Sequence, residues 1–196
     1  MFDSVKTKVR ALIGDISKSG TEVHTYTTSL IFTLTEPNVT SLTTTTINGA
    51  ALDSGETATF SATTGKVTLA GVSLTAGDEI EFTFAYYAKY SETEIANWIR
   101  AALVYVSLFD ECKDFELEDD GEDDPTYYFE PTPDNKELDM IALVTSILLN
   151  PDWSEYKLPN VTIKYPRTQD RDTKIRKLIT RVQSRTGWSG LIALED

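Results

Sequence analysis

The chain has 196 residues, enough for one large domain or two small ones, and its 40% apolar content suffices for a core without covalent staples. Its single cysteine, Cys112, excludes an internal disulfide framework and a thiolate metal cage, which both need several sulfurs. With 31 acidic residues against 18 basic ones the formal net charge is -13, which repels nucleic acid and anionic membrane at long range and predicts poor non-specific affinity for DNA. Charged residues Asp3, Lys6, Lys8 and Arg10 break up the start of the chain, so no secretory signal is predicted. The longest apolar run, Ile141 to Leu149, is interrupted by Thr145 and Ser146 and falls far short of the roughly 20 residues that span a bilayer. A reducing site of synthesis is expected, and the sequons at Asn38 and Asn160 read as chance matches.

From Asp3 to about Gly14, Phe2, Val5, Val9, Leu12, Ile13 and Ile16 recur at helical spacing, with Lys6, Lys8 and Arg10 between them. This predicts a short amphipathic helix ended by Gly14 and Asp15. From about Gly20 to Ala88 the chain becomes threonine-rich, and β-branched runs favour a pleated surface over a helix. Turn signals at Glu36-Pro37-Asn38, Asn48-Gly49, Asp53-Ser54-Gly55, Thr64-Gly65 and Ala76-Gly77-Asp78 divide it. The segments between them, Ile31–Glu36, Leu42–Ile47, Thr57–Ala62, Lys66–Ala70 and Glu79–Tyr87, alternate and read as strands of a small antiparallel sandwich or barrel.

After Tyr90 the helical period returns. Ser91-Glu92-Thr93-Glu94 reads as a capping box, opening a long helix through Ile95, Trp98, Ile99, Ala102, Leu103, Val106 and Phe109. It is apolar on much of its circumference, as a central helix or one lying against a partner would be. An acidic run from Asp110 to Asp124 follows, and Phe115 and Leu117 pair with Tyr127, Tyr128 and Phe129 as a hairpin with its tip at Asp119 to Pro125. Asp134 caps a further helix with Leu138, Ile141, Ala142, Thr145 and Leu148 on one face, ended by Asn150-Pro151. Leu158 to Pro166 reads as an extended, proline-bracketed arm, about Asp172 to Ser184 as a last helix, and Gly187 to Asp196 as an apolar tail.

The expected fold class is therefore α+β: a helical-bundle core of residues 1–19 and 89–196, with an acidic hairpin at 113–131 and a C-terminal arm and helix at 158–196. Residues 20–88 form a small antiparallel β domain inserted into it, because the first helix is too short to persist unless it packs on the later ones.

Little in the sequence points to catalysis. A nucleophilic site would have to use the single histidine, His24, yet no nucleophile-elbow glycine pattern surrounds a serine, and the acidic neighbourhood of Cys112 dulls its thiol. Asp119 to Asp124 concentrates hard oxygen ligands but lacks the spacing and distal glutamate of an EF-hand loop, so it reads as a solvated acidic turn or docking patch. No catalytic residue, cofactor or metal is expected. Against this acidic segment stands a basic one: Lys164, Arg167, Arg171, Lys174, Arg176, Lys177, Arg181 and Arg185. Without stacking aromatics it reads less as a nucleic-acid site than as a solvated helix face or, the favoured reading, a face that meets an acidic surface of a neighbouring copy. Lys174, Arg176, Lys177 and Arg181 are the candidate interface cations. Trp188, Leu191, Ile192 and Leu194 in the tail either cover the protein's own core or insert into a partner's groove.

Val5 to Gly14, then Tyr90-Ser91-Glu92-Thr93-Glu94-Ile95 leading into Trp98-Ile99-Arg100-Ala101-Ala102-Leu103, then Asp134 to Leu149 and the arm, resemble in their order the head-to-tail adaptor, or connector, proteins of tailed bacteriophages. The β stretch, with Phe32-Thr33-Leu34-Thr35-Glu36-Pro37 and Gly65-Lys66-Val67-Thr68-Leu69, is similar to the small β modules that decorate phage structural proteins. The resemblance implies a virion protein of the neck, made in the host cytoplasm and assembled as a ring, typically of twelve copies. Its implied partners are the portal protein, the tail or a second neck protein, and DNA that passes through without specific binding; no membrane is involved. Members dock on the portal through a C-terminal helix or tail, here Asp172 to Asp196. The alternative is a binding module whose β domain recognises a carbohydrate or host surface, against which stands the core parity of most aromatics from Tyr26 to Tyr87.

Overall fold

The computed structural model describes residues 1–108, 113–122, 125–158, 161–166, 169–183 and 190–193. In chain order the elements are α1 (Phe2–Ile13), β1 (Ser17–Thr25), β2 (Ile31–Thr33), β3 (Val39–Ile47), β4 (Ala50–Ala51), β5 (Thr57–Ser61), β6 (Lys66–Ala70), β7 (Glu79–Tyr87), α2 (Glu92–Ser107), β8 (Glu116–Asp119), β9 (Tyr127–Glu130), α3 (Asn135–Leu149), β10 (Glu155–Lys157), β11 (Val161–Lys164), α4 (Arg171–Gln183) and β12 (Gly190–Ala193). The fold is mixed α+β, with four helices and several antiparallel sheets among the described residues. The chain divides into two compact units, Met1–Asp15 with Thr93–Asp196, and Ile16–Glu92. Of the residues singled out in the sequence, Phe109, Asp110, Glu111, Cys112, Asp123, Asp124, Asn160, Arg167, Arg185, Trp188 and Leu194 lie outside the described ones.

In the first of these units, α1 ends where expected. Gly14 takes the left-handed conformation (φ 64°), and the amide of Asp15 donates back to the Arg10 carbonyl, closing the last turn. The apolar stripe of α1 is buried and packs on α3, with Phe2 against the Tyr127 ring at 4.6 Å. Arg10 is not one of the solvated cations its spacing implied. It is buried and paired with Asp15, while Lys8 reaches Asp139 of α3 at 2.6 Å.

The helix buried on every side is α3 rather than α2. Residues from Leu138 to Leu148 are all buried, and each fully buried Ile or Leu contributes about 1.5–3 kcal/mol. Two polar side chains tolerate this position because each returns its hydroxyl proton within the helix, Thr145 to the Ile141 carbonyl and Ser146 to the Ala142 carbonyl. The capping box at its start is complete: Asp134 accepts from the amides of Lys136 and Glu137, and Glu137 accepts from the Asp134 amide. By contrast α2, which begins directly after Ser91, buries Ile95, Ile99, Ala102, Leu103 and Val106 and leaves Trp98 and Val104 exposed, as is Leu108 just beyond its end.

The stretch read as an extended arm contains the central strand of a three-stranded sheet, β10-β11-β12. β11 pairs antiparallel with β10 and parallel with β12, so the supposed tail returns along it, Leu191 beside Thr162 and Ile192 beside Ile163. The signal for this was present in Tyr156, Ile163 and Tyr165, whose strand parity carries large apolar rings and chains that are all buried.

The unit Ile16–Glu92 has two antiparallel sheets, β1-β7-β3-β4 and β2-β6-β5, whose inward faces share a cluster of Phe32, Leu34, Val67, Ile80, Phe82 and Phe84. Strands β3, β5, β6 and β7 match the predicted segments closely. β2 is only three residues long, and β1 was missed for a definite reason: its inward positions are Gly20, Glu22 and His24, so it lacks the apolar alternation that marks a half-buried strand. It nevertheless pairs with β7 from Ser17↔Tyr87 to Thr25↔Glu79. Gly20 is required there, because a Cβ would stand 2.7 Å from the Phe84 ring. Between β3 and β4, Asn48 and Gly49 both have positive φ (49° and 79°), the geometry of a two-residue hairpin turn that suits Asn-Gly.

Candidate interaction surfaces

The amphipathic helix α4 packs its apolar side, Ile175, Leu178 and Ile179, into its unit against α3. This placement separates the four proposed interface cations. Arg176 is exposed, whereas Lys177 and Arg181 are half-buried at the margin of the packed face. Lys174 is wholly buried, so it is not an interface cation. Its ammonium donates to the carbonyl of Pro151, and to that of Trp153 at 2.9 Å, in the turn that follows α3. A cation suits this place because an ammonium, with three N–H groups, is a strong donor to backbone carbonyl oxygens. Burial holds the Lys174 ammonium below the usual lysine range, against the nearby Asp152 and Asp170, which favour its charge.

Two tyrosines complete the clamp. The Tyr165 hydroxyl donates to the Lys174 carbonyl and the Tyr156 hydroxyl to the Asn150 carbonyl, with the rings edge to face at 6.0 Å. Burial raises both phenols well above the ordinary tyrosine value. Sequence reasoning missed the clamp because it assigned Lys174 by charge, although the spacing Lys174, Ile175, Leu178, Ile179 places it on the apolar side of the helix. Of the tail residues, Leu191 and Ile192 belong to the backbone of β12, and their side chains lie outside what is described.

The acidic hairpin forms as expected. Strand β8 pairs with β9 in the register Leu117↔Phe129. Phe115, Leu117 and Phe129 face inward, and Glu116, Glu118, Asp120 and Glu122 are exposed. Arg100 of α2 secures it: Nε donates to the Leu117 carbonyl, one terminal nitrogen meets Asp119 at 2.8 Å, and the guanidinium lies 5.5 Å from the centre of the Tyr127 ring. Beside Arg100 a cleft of about 440 Å³ opens between α2 and the lead into β8, lined by Leu103, Val104, Asp114, Phe115 and Leu117.

His24 sits with its ring 5.6 Å from those of Phe32 and Phe82, and Nε2 lies 3.3 Å from the Glu22 carboxylate. Burial would raise the Glu22 carboxyl, but donations from the Thr35 amide and hydroxyl and the Glu36 amide outweigh it and hold the group below its usual range. The lowered value means that the stabilisation is present above pH 4.5, the unfolded value, and is lost as pH falls through the lower folded one. Replacing Glu22 with glutamine is therefore expected to flatten the acid limb of the thermal stability of this unit, followed by near-ultraviolet dichroism between pH 2 and 5. An unchanged acid limb would exclude Glu22 as its source.

No protein-family model matches the chain, and no curated protein is significantly similar to it. Among the described residues no helix is long and apolar enough to cross a membrane, and no group of three or more His, Cys, Asp and Glu side chains is placed to hold a metal ion.

Proposed function

We propose that the chain is a structural head-to-tail adaptor of a tailed-phage virion, forming a ring that joins the portal to the tail and lets DNA pass. In this reading its finer architecture is a helical-bundle core carrying a small inserted antiparallel β-sandwich. The observation that supports it most is that α1 packs on α3 although all of Ile16–Glu92 intervenes, so the helices on either side of the β unit belong to one body. The exposed carboxylates of the β8–β9 hairpin and the exposed Arg176 supply opposite charges for a contact between copies. A net charge of -13 suits a channel through which DNA slides without being held. The burial of Phe32, Phe82 and Phe84 leaves them no part in a sugar-stacking platform, which favours the adaptor over a carbohydrate-binding module.

Electron microscopy of the purified protein, alone and mixed with a portal protein from the same genome, tests the proposal. The expected result is a closed ring stacked on the portal, weakened by Arg176→Glu in a salt-dependent way. Small unattached particles would overturn it, and glycan binding by the full chain would then establish the module reading.

A further inference from the structure

We infer that Asn48 is a spontaneous deamidation site that the folded hairpin guards, and that conversion there prevents the hairpin from closing again. Asn-Gly is chemically the most susceptible pairing, because glycine leaves the following amide nitrogen unhindered. The nitrogen of Gly49 attacks the Asn48 side-chain carbonyl carbon, ammonia leaves, and water opens the resulting succinimide to aspartate or isoaspartate. No oxidant or further reactant is consumed.

In the folded unit the Asn48 carboxamide is held away from that path at both ends. Its nitrogen donates to the Asp78 carboxylate at 2.9 Å and its oxygen accepts from the Glu79 amide at 2.9 Å. The backbone amide of Asn48 donates in turn to the Glu79 carbonyl, and Asp78 is itself fixed by the Thr75 amide. The donation from Asn48 is also the first cause holding the Asp78 carboxyl below its usual range. Attack therefore requires the side chain to leave two hydrogen bonds first. Neither product remakes the pair: aspartate can still accept from the Glu79 amide, but the donation to Asp78 is lost. Aspartate has no N–H to offer and sets a second carboxylate against Asp78, while isoaspartate lengthens the backbone of a turn that has room for two residues between Ile47 and Ala50.

The test is peptide mapping by mass spectrometry after incubation of the full chain at mildly alkaline pH, folded and in denaturant. Conversion at Asn48 is expected to be about tenfold or more slower in the folded chain, the factor that two ordinary hydrogen bonds supply. Asp78→Ala, checked by circular dichroism to remain folded, removes one of the two hydrogen bonds and is expected to speed conversion in the folded chain by about threefold. Asn48→Asp is expected to lower the thermal midpoint of the full chain. Equal rates folded and denatured, or no conversion in denaturant, would overturn the inference. An unchanged midpoint in Asn48→Asp would equally refute the claim that the product cannot reclose the turn.

Discussion

Replacing Asp15 with alanine is expected to destabilise the helical unit by about 3–5 kcal/mol, the range found when one partner of a buried ion pair is removed. Arg10 and Asp15 are 3% and 1% exposed, and the carboxylate receives a terminal nitrogen of the guanidinium while its own amide closes the end of α1. Removing the carboxylate takes a buried ion-pair partner from a guanidinium that is itself 3% exposed, and breaking a buried pair costs far more than losing a surface one. The double variant Arg10→Met, Asp15→Leu removes both charges and keeps the volume. It is expected to recover most of the loss, since a buried pair is often no better than apolar groups of the same shape. Urea unfolding of the three variants decides the matter. A loss below about 1 kcal/mol in Asp15→Ala would mean that the pair behaves as a hydrated surface contact.

The sequence carried the helices, the hairpin and most strands of the β unit, because these elements follow from period and turn chemistry, both local. Gly14, Asp134 and Asn48-Gly49 each mark a boundary by a conformation or a hydrogen bond that few other residues supply. What was illegible depends on partners distant in the chain. Nothing local in Ser17 to Thr25 shows that it pairs with β7, since its inward positions find their partners elsewhere in the chain, in β7 and in Phe32 and Thr35. The parity of β11 was legible, but its central place was not, because that comes through β10 before it and β12 beyond α4. Charge was the least reliable guide to position. Arg10 and Lys174 look alike to any count of cations, yet both are buried and bound, while Arg176, two residues from Lys174, is exposed. The candidate surface therefore contracts from a basic helix to its outer edge.

Lys174→Glu separates these roles. It is expected to unfold or severely destabilise the helical unit, by about 3–5 kcal/mol or more, because a carboxylate would face the carbonyls of Pro151 and Trp153 with no donor between them. Arg176→Glu is expected to leave the fold within about 0.5 kcal/mol of the wild type, as exposed substitutions do. Assembly lost in the first variant would thus report on folding, and only loss in the second would report on a contact between copies. Lys174→Met keeps the packed stem, removes the donor and is expected to cost about 1–3 kcal/mol. Its pH dependence has a definite sign. The folded ammonium titrates below the unfolded value of 10.5, so between those values the unfolded chain holds more protons and wild-type stability gains as pH rises. Tyr156 and Tyr165 act oppositely, because phenols raised above 10.0 in the fold make stability fall beyond that value in both proteins alike. The difference between wild type and Lys174→Met is therefore expected to widen as pH rises toward 10.5. A difference that narrows would show that the two carbonyls stabilise the ammonium by more than burial penalises it, and that the clamp acts as a charge site rather than as a buried hydrogen-bond donor.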